Sequence, residues 1–142
     1  MPQSYNKIWI HSVWSTKNRK PLIPPKYEQI IFDYMRSKFR ELGCPVRIIN
    51  GMSDHVHCLF LLNPNRSMAD IIKNVKGSTS FFVNNILKSE IRLAWQDGYG
   101  SFSVDESRLN QTFEYIKNQR IKHLKQTYYQ ELEKFIQIHE AH

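Results

Sequence analysis

The sequence contains little cysteine, little glycine and no long apolar run. Cys44 and Cys58 are its only cysteines, and neither belongs to a CxxC pair, which argues against a disulfide framework and a structural zinc site. No apolar run approaches the roughly 20 residues needed to span a bilayer, and nothing before Ser4 resembles a signal segment. We therefore expect a cytoplasmic protein that makes no membrane contact.

Acidic residues are also scarce. The chain has 13 Asp and Glu against 20 Lys and Arg, a net charge of +7, and it carries three Trp, seven Tyr and eight Phe. Cations offset phosphate charge and exposed rings stack on unpaired bases, so this composition is compatible with nucleic-acid binding. A length of 142 residues fits a single domain.

Apolar periodicity predicts the order β-α-β-β-α-β, followed by helices. The predicted strands are 5–14, 45–50, 54–62 and 99–104, and the predicted helices begin near residues 24, 68, 107 and 128. Gly43 is the predicted C-cap of the first helix, Ser67 the N-cap of the second, and 51–53 the turn before the third strand. This is the ferredoxin-like α+β pattern, an antiparallel sheet with two helices on one face. The fold alone specifies no function.

The third predicted strand begins with Asp54-His55-Val56-His57. Alternate side chains of a strand share a face, so His55 and His57 project together, about 7 Å apart along the strand. Both imidazoles could therefore reach one metal ion. Paired histidines also occur as hydrogen-bonded groups at the end of a sheet, and the pair alone leaves this alternative open.

Tyr115 and Gln119 lie four residues apart in a predicted helix and therefore share one face. By itself, Tyr115 would be read as a core or surface tyrosine. Beside two histidines, the Gln119 amide oxygen could complete a divalent cation site that offsets charge on a phosphodiester, while the phenol attacks phosphorus. Tyrosine has an unperturbed pKa of about 10, so a cation or base must assist the attack. This donor set can accept Mg²⁺ or Mn²⁺, and on affinity alone it would suit Zn²⁺ or Ni²⁺.

Five short motifs occur in an order that resembles the single-tyrosine HUH transposases of small bacterial insertion sequences and their relatives associated with repetitive extragenic palindromes. HUH denotes two histidines around a hydrophobic residue. The motifs are His11–Lys17 (HSVWSTK), His55–His57 (HVH), Lys76–Ser80 (KGSTS), Trp95–Tyr99 (WQDGY) and Tyr115–Gln119 (YIKNQ). The resemblance implies one HUH transposase domain over residues 1–142, with a core of about 5–123 and a helical tail of about 125–142.

The resemblance also implies the roles of individual residues. His55, His57 and Gln119 would be metal ligands, Tyr115 the nucleophile, and Asp54 a supporting residue beside the ligands. The cofactor would be a divalent ion, most often Mg²⁺ or Mn²⁺. The helix that carries the tyrosine would follow the sheet in the chain.

The implied substrate is single-stranded DNA with hairpins near the ends of a mobile element. It would be cut to leave a 5′-phosphotyrosine and a free 3′-hydroxyl, and then rejoined. Lys17, Arg19 and Lys76 are candidate DNA contacts. The implied assembly is a homodimer joined through sheet edges, in which the tyrosine helix can complete the partner's metal site in trans.

Other two-histidine enzymes fit less well. A histidine-triad hydrolase needs a histidine where Leu59 stands, and two-histidine phosphoesterases need a duplicated motif, whereas one HxH occurs here. The remaining alternative is a non-catalytic ferredoxin-like module that binds nucleic acid, with Trp9, Tyr99 and Phe102 as stacking rings. Such a module would need neither the metal nor Tyr115.

Overall fold

A computed structural model describes residues 4–119 together with residues 130, 133, 134, 136 and 137. The strands are β1 (Trp9–Ser15), β2 (Val46–Met52), β3 (His55–Leu61) and β4 (Gly100–Val104), and the helices are α1 (Glu28–Glu41), α2 (Met68–Phe81) and α3 (Leu109–Lys117). The strands form one antiparallel sheet in the order β2-β3-β1-β4. The order of elements is β-α-β-β-α-β followed by a helix, which confirms the ferredoxin-like α+β prediction.

The two central strands, β1 and β3, are buried on both faces. One face contributes apolar side chains to the main core, among them Ile10, Trp14, Val56 and Phe60. Side chains of a strand alternate, so the residues between them lie on the opposite face. That opposite face contains His11 on β1 and both histidines of β3.

Helices α1 and α2 cover the main core. On α1, Ile31, Met35 and Phe39 point inward and are fully buried, whereas Ile30 of the predicted stripe is exposed. Gly43 ends α1 with a φ of 76°, as a glycine C-cap does, and its N–H donates to the Arg40 carbonyl. Both cysteines are buried and free.

The start of α2 agrees with the predicted cap, because Ser67 Oγ accepts a hydrogen bond of 3.0 Å from the Asp70 N–H. Ile71, Ile72 and Val75 are buried against the sheet. The helix continues into a wider turn of π-helical geometry, Phe82–Ile86.

The predicted turn at 51–53 is wrong in its position. β2 continues through Met52, and the turn consists of Ser53 and Asp54. Gly51 lies in β2. A Cβ at this position would collide with the His55 carbonyl oxygen and lie 2.9 Å from Val56 Cα, which is why the position requires glycine. The glycine thus permits a close approach of β2 and β3 just before the histidines.

Helix α3 lies on the sheet face opposite α1 and α2, against β2 and β3. A second, smaller core forms there from Leu59, Val104, Leu109 and Ile116. The sequence predicts this helix from about Ser107; in the structure a short 3₁₀ turn, Glu106–Arg108, precedes it. Its predicted continuation to about residue 124 lies outside the described residues, as does most of the predicted segment 128–139. Among the described helices, none has the length and apolarity that crossing a bilayer requires.

Candidate active site

The turn before β3 is tied to the end of β1. The backbone N–H of Thr16 donates to the Asp54 carbonyl at 2.9 Å, and its hydroxyl oxygen lies 2.6 Å from the Lys20 carbonyl and 3.1 Å from the Asp54 carbonyl. Thr16 is fully buried, so these bonds lie away from water. They fix the backbone from which the Asp54 carboxylate and the His55 ring project.

His55 is buried and held from behind by Asp54. Its Nδ1 lies 2.8 Å from Asp54 Oδ1, and the Asp54 side chain is about one-third exposed. A carboxylate accepts hydrogen bonds, so Nδ1 carries the hydrogen and donates it. The other ring nitrogen, Nε2, then faces inward, 3.3 Å from Oε1 of Gln119.

Gln119 is fully buried, and its amide has a defined orientation. The amide nitrogen donates to the carbonyl of Tyr115 at 3.3 Å, which turns the amide oxygen toward His55. When His55 is neutral and carries its hydrogen on Nδ1, its Nε2 lone pair and this oxygen point into the same space. A cation there would be bound by both groups, so the donor set fits a metal ion.

His57 lies beside His55 on the same face, with ring centroids 5.2 Å apart. It is nearly fully buried. Its Nδ1 lies 2.8 Å from Nε2 of His11, a fully buried residue of β1. His11 was recognised in the sequence only as part of a motif, without a role. A histidine in a predicted buried strand was the signal that could have identified it.

The ring of Tyr115 meets this cluster edge-on. Its centroid lies 5.8 Å from that of His57 and 6.2 Å from that of His11. Asn50 of β2 holds the end of α3, because its amide donates to the carbonyls of Ile116 and Lys117 at 3.0 and 3.1 Å. Asn50 also carried no recognisable signal in the sequence, since an asparagine in a strand is usually read as a surface residue.

The structure therefore brings the four predicted side chains together within one chain: His55, His57, Tyr115 and Gln119. In the part of the chain that is described, no three or more His, Cys, Asp or Glu side chains are arranged to hold a metal ion. The further oxygen that lies beside these imidazoles is the amide oxygen of Gln119, 3.3 Å from His55 Nε2. Two imidazoles and an amide oxygen are a mixed donor set of the kind that a divalent ion accepts.

Lys17 and Arg19 follow β1 in a short turn in which Asn18 and Arg19 have φ values of 55° and 51°. Arg19 lines an open groove of about 600 Å³ together with Tyr99. Val13 and Ser15 also line this groove, and they pair with His57 and His55 across the sheet. The groove therefore includes the β1 residues that pair with the two histidines, and the carboxylate of Asp97 lines it as well.

Lys76, the third candidate DNA contact, stabilises the loop that contains Gln96 and Gly98. Its ammonium donates to the carbonyls of Gln96 and Gly98 at 2.8 and 3.1 Å. Partial burial lowers the pKa of this ammonium, and the Asp97 carboxylate opposes that effect. The loop is held a second time, because Trp95 Nε1 donates to the Lys76 carbonyl. A phosphate contact by Lys76 stays a prediction.

The three rings on which a non-catalytic module would stack bases, those of Trp9, Tyr99 and Phe102, differ in exposure. Tyr99 is 41% exposed at the groove. Trp9 packs against the second core, and Phe102 is half-buried on β4. Tyr99 is thus the ring of the three that is best presented for stacking.

The profile described as IS200-like transposase matches residues 4–119, which is most of the chain. The chain belongs to this transposase family. The match ends at Gln119 and includes all five motifs.

Individual relatives agree with the assignment. The transposase is 26% identical over 117 residues to the ISDra2 transposase TnpA of Deinococcus radiodurans, covering 79% of this chain and 84% of the relative. A crystal structure of a candidate transposase from Deinococcus radiodurans R1 matches with a TM-score of 0.64 and 25% identity, covering 84% of this chain and 95% of that one.

A more distant structure shares the fold. It is a REP-associated tyrosine transposase bound to a REP hairpin, and it matches with a TM-score of 0.62 and 15% identity. The match covers 87% of this transposase and 73% of that chain.

Proposed function

We propose that this transposase cuts and rejoins single-stranded DNA through a covalent bond to Tyr115, with His55, His57 and Gln119 holding a divalent ion, Mg²⁺ or Mn²⁺. One observation carries the proposal. A tyrosine ring lies beside two buried imidazoles and a buried amide oxygen, and that oxygen is 3.3 Å from Nε2 of His55.

The bound cation and the Tyr115 phenol would have distinct parts in the reaction. When bound, the cation would polarise a phosphodiester oxygen and offset negative charge in the transition state. The Tyr115 phenol oxygen attacks phosphorus and loses its proton to solvent, while the bond from phosphorus to the 3′ oxygen breaks. The departing oxygen takes up a proton and becomes a free 3′-hydroxyl. The phosphate remains on Tyr115 as a diester of the 5′ end, and attack by another 3′-hydroxyl releases the tyrosine.

The surface around the histidines supports a DNA substrate. The net charge of +7 favours a polyanion, and the groove next to β1 carries Arg19 and the exposed ring of Tyr99. Single strands bind where cations that contact the backbone combine with rings that stack on bases. The carboxylate of Asp97 also lines this groove. The structural relative bound to a REP hairpin makes hairpin-bearing strands the substrate class to test.

The proposed assembly is a homodimer joined through sheet edges, for which β2 and β4 are the available edge strands in the described part. The contact of Tyr115 with the histidines of its own chain favours catalysis in cis. In this arrangement no second copy is needed to bring the four side chains together.

The test is Tyr115→Phe on single strands that carry hairpins, with Mg²⁺ or Mn²⁺. We expect the variant to bind these strands with wild-type affinity and to cleave none of them, because only the phenol oxygen is removed. Tyr34→Phe is the control, since that ring stacks on Phe82 on the other side of the sheet. Cleavage by Tyr115→Phe would refute the role of the nucleophile. A wild-type protein that binds such strands and never cleaves them would instead support the non-catalytic module.

A further inference from the structure

His11 makes a contact that the sequence motifs did not explain. It is fully buried on β1, and its Nε2 lies 2.8 Å from Nδ1 of His57 on β3. The two strands are neighbours in the sheet, and His57 pairs with Val13, two residues beyond His11. The two imidazoles are therefore diagonal neighbours on one face, with ring centroids 5.0 Å apart.

The contact constrains where the hydrogens lie. In a neutral pair of imidazoles, one nitrogen donates and the other accepts. If His57 is to present the lone pair of Nε2 to a cation, its hydrogen must be on Nδ1. In that case His57 donates and His11 Nε2 accepts, so that His11 carries its own hydrogen on Nδ1.

The other histidine of the pair, His55, also has a hydrogen-bond partner behind its Nδ1. His55 donates its Nδ1 hydrogen to Asp54 and turns Nε2 toward Gln119. Metal-binding histidines are usually held in this way by an acceptor behind the ring, which fixes the tautomer and the ring orientation. His57 has His11 behind its Nδ1, where His55 has a carboxylate.

We propose that His11 is a positioning residue that accepts the Nδ1 hydrogen of His57 and thereby presents Nε2 of His57 to the metal ion. The inference rests on the proposed function, because it presupposes that His57 binds a metal. It also makes the two ligands unequal, because a carboxylate lies behind the His55 ring and an imidazole lies behind the His57 ring.

The first test measures the tautomer directly, in metal-free protein labelled with ¹⁵N-histidine. Long-range ¹H–¹⁵N spectra distinguish the two neutral tautomers in alkaline buffer, where free imidazoles are neutral. We expect His57 to be protonated on Nδ1 in the wild type and in His11→Gln, whose amide oxygen can accept the same hydrogen. A wild-type His57 protonated on Nε2 would overturn the proposal.

The second test measures Mn²⁺ affinity without DNA, by electron paramagnetic resonance of the free ion. His11→Phe keeps a ring in the core and removes the acceptor, and we expect affinity to fall on the order of 10- to 100-fold, as it does when other such supports are removed. His11→Gln should restore most of it. Ile10→Ala, on the same strand but in the other core, should lower stability and leave Mn²⁺ affinity unchanged.

A double variant, His55→Ala with His57→Ala, separates failure of this inference from failure of the proposed function. If the double variant binds Mn²⁺ as tightly as the wild type, the metal site itself is wrong. If it loses binding while His11→Phe binds as the wild type does, only the role of His11 is wrong. Should His11→Phe not fold, the wild-type tautomer of His57 still decides the matter.

Discussion

The amide oxygen of Gln119 lies 3.3 Å from Nε2 of His55, although 64 residues separate them in the chain. Each group is fixed from behind, His55 by the Asp54 carboxylate and Gln119 by the carbonyl of Tyr115. The end of α3 is thereby connected to the start of β3. Because Tyr115 is one helical turn before Gln119, the same connection places its ring at the histidines.

Removing the amide of Gln119 should weaken metal binding. Gln119→Leu keeps the bulk of the side chain and removes the oxygen, so we expect Mn²⁺ affinity to fall by about tenfold or more. Gln119→Glu should retain binding, because a carboxylate is also an oxygen donor. Calorimetric titration of the free protein with Mn²⁺ measures both. Gln111→Leu, at an exposed position of the same helix, is the control. Equal affinity in Gln119→Leu and the control would argue against Gln119 as a ligand.

Asn50 should matter for both stability and cleavage. Asn50→Ala deprives the Ile116 and Lys117 carbonyls of their side-chain donor, at an expected cost of about 1–2 kcal/mol in the free energy of unfolding. The end of α3 then loses its attachment to β2, so cleavage should slow as well. Urea unfolding and single-turnover cleavage are the measurements. Asn110→Ala, whose partner is an exposed Arg47, should change neither. Wild-type behaviour of Asn50→Ala in both assays would contradict the account.

A methyl group at Gly51 should disrupt the hairpin that carries the histidines. The added Cβ would collide with the His55 carbonyl, so Gly51→Ala is expected to cost about 3 kcal/mol or more. Gly77→Ala in α2 should instead stabilise the protein. A Cβ there meets no atom within 4 Å, and alanine in a helix is favoured by about 0.5–1 kcal/mol. Thermal unfolding of the two variants should therefore shift in opposite directions. A Gly51→Ala protein as stable as the wild type would mean that β2 and β3 do not approach so closely.

A mixing experiment should show whether the site is assembled in cis. Tyr115→Phe and the double variant His55→Ala, His57→Ala are each expected to be inactive. In a mixed dimer, trans assembly would combine the intact histidines of one chain with the intact tyrosine of the other. The approach of Tyr115 to its own histidines predicts that mixing restores no cleavage. Activity in the mixture would show that α3 can serve the neighbouring chain.

Local periodicity was sufficient to predict much of the site. The strand period places His55 and His57 on one face, and the helical spacing places Tyr115 and Gln119 on one face. The predicted order of elements then brings the third strand and the last helix into one domain. These relationships depend on residues close in sequence, which is why the sequence alone could predict them.

Relationships between strands could not be read from the sequence in the same way. His11 faces His57 because of the register of β1 against β3, which results from packing of the whole sheet. Gly51 was predicted to lie in a turn because glycine favours turns, yet it serves a close approach of two strands. Asn50 acts on a helix 66 residues away, and no local pattern reveals such a partner.

The most direct measurement is the mass-spectrometric identification of the residue that becomes linked to DNA. A hairpin-bearing single strand labelled at its 3′ end is incubated with wild-type protein and Mn²⁺, and the adduct that survives denaturation is digested with trypsin. The account predicts a nucleotide joined through its 5′ phosphate to Tyr115, and release of the other strand with a 3′-hydroxyl. A linkage to any other residue, or cleavage that leaves no covalent adduct, would contradict it.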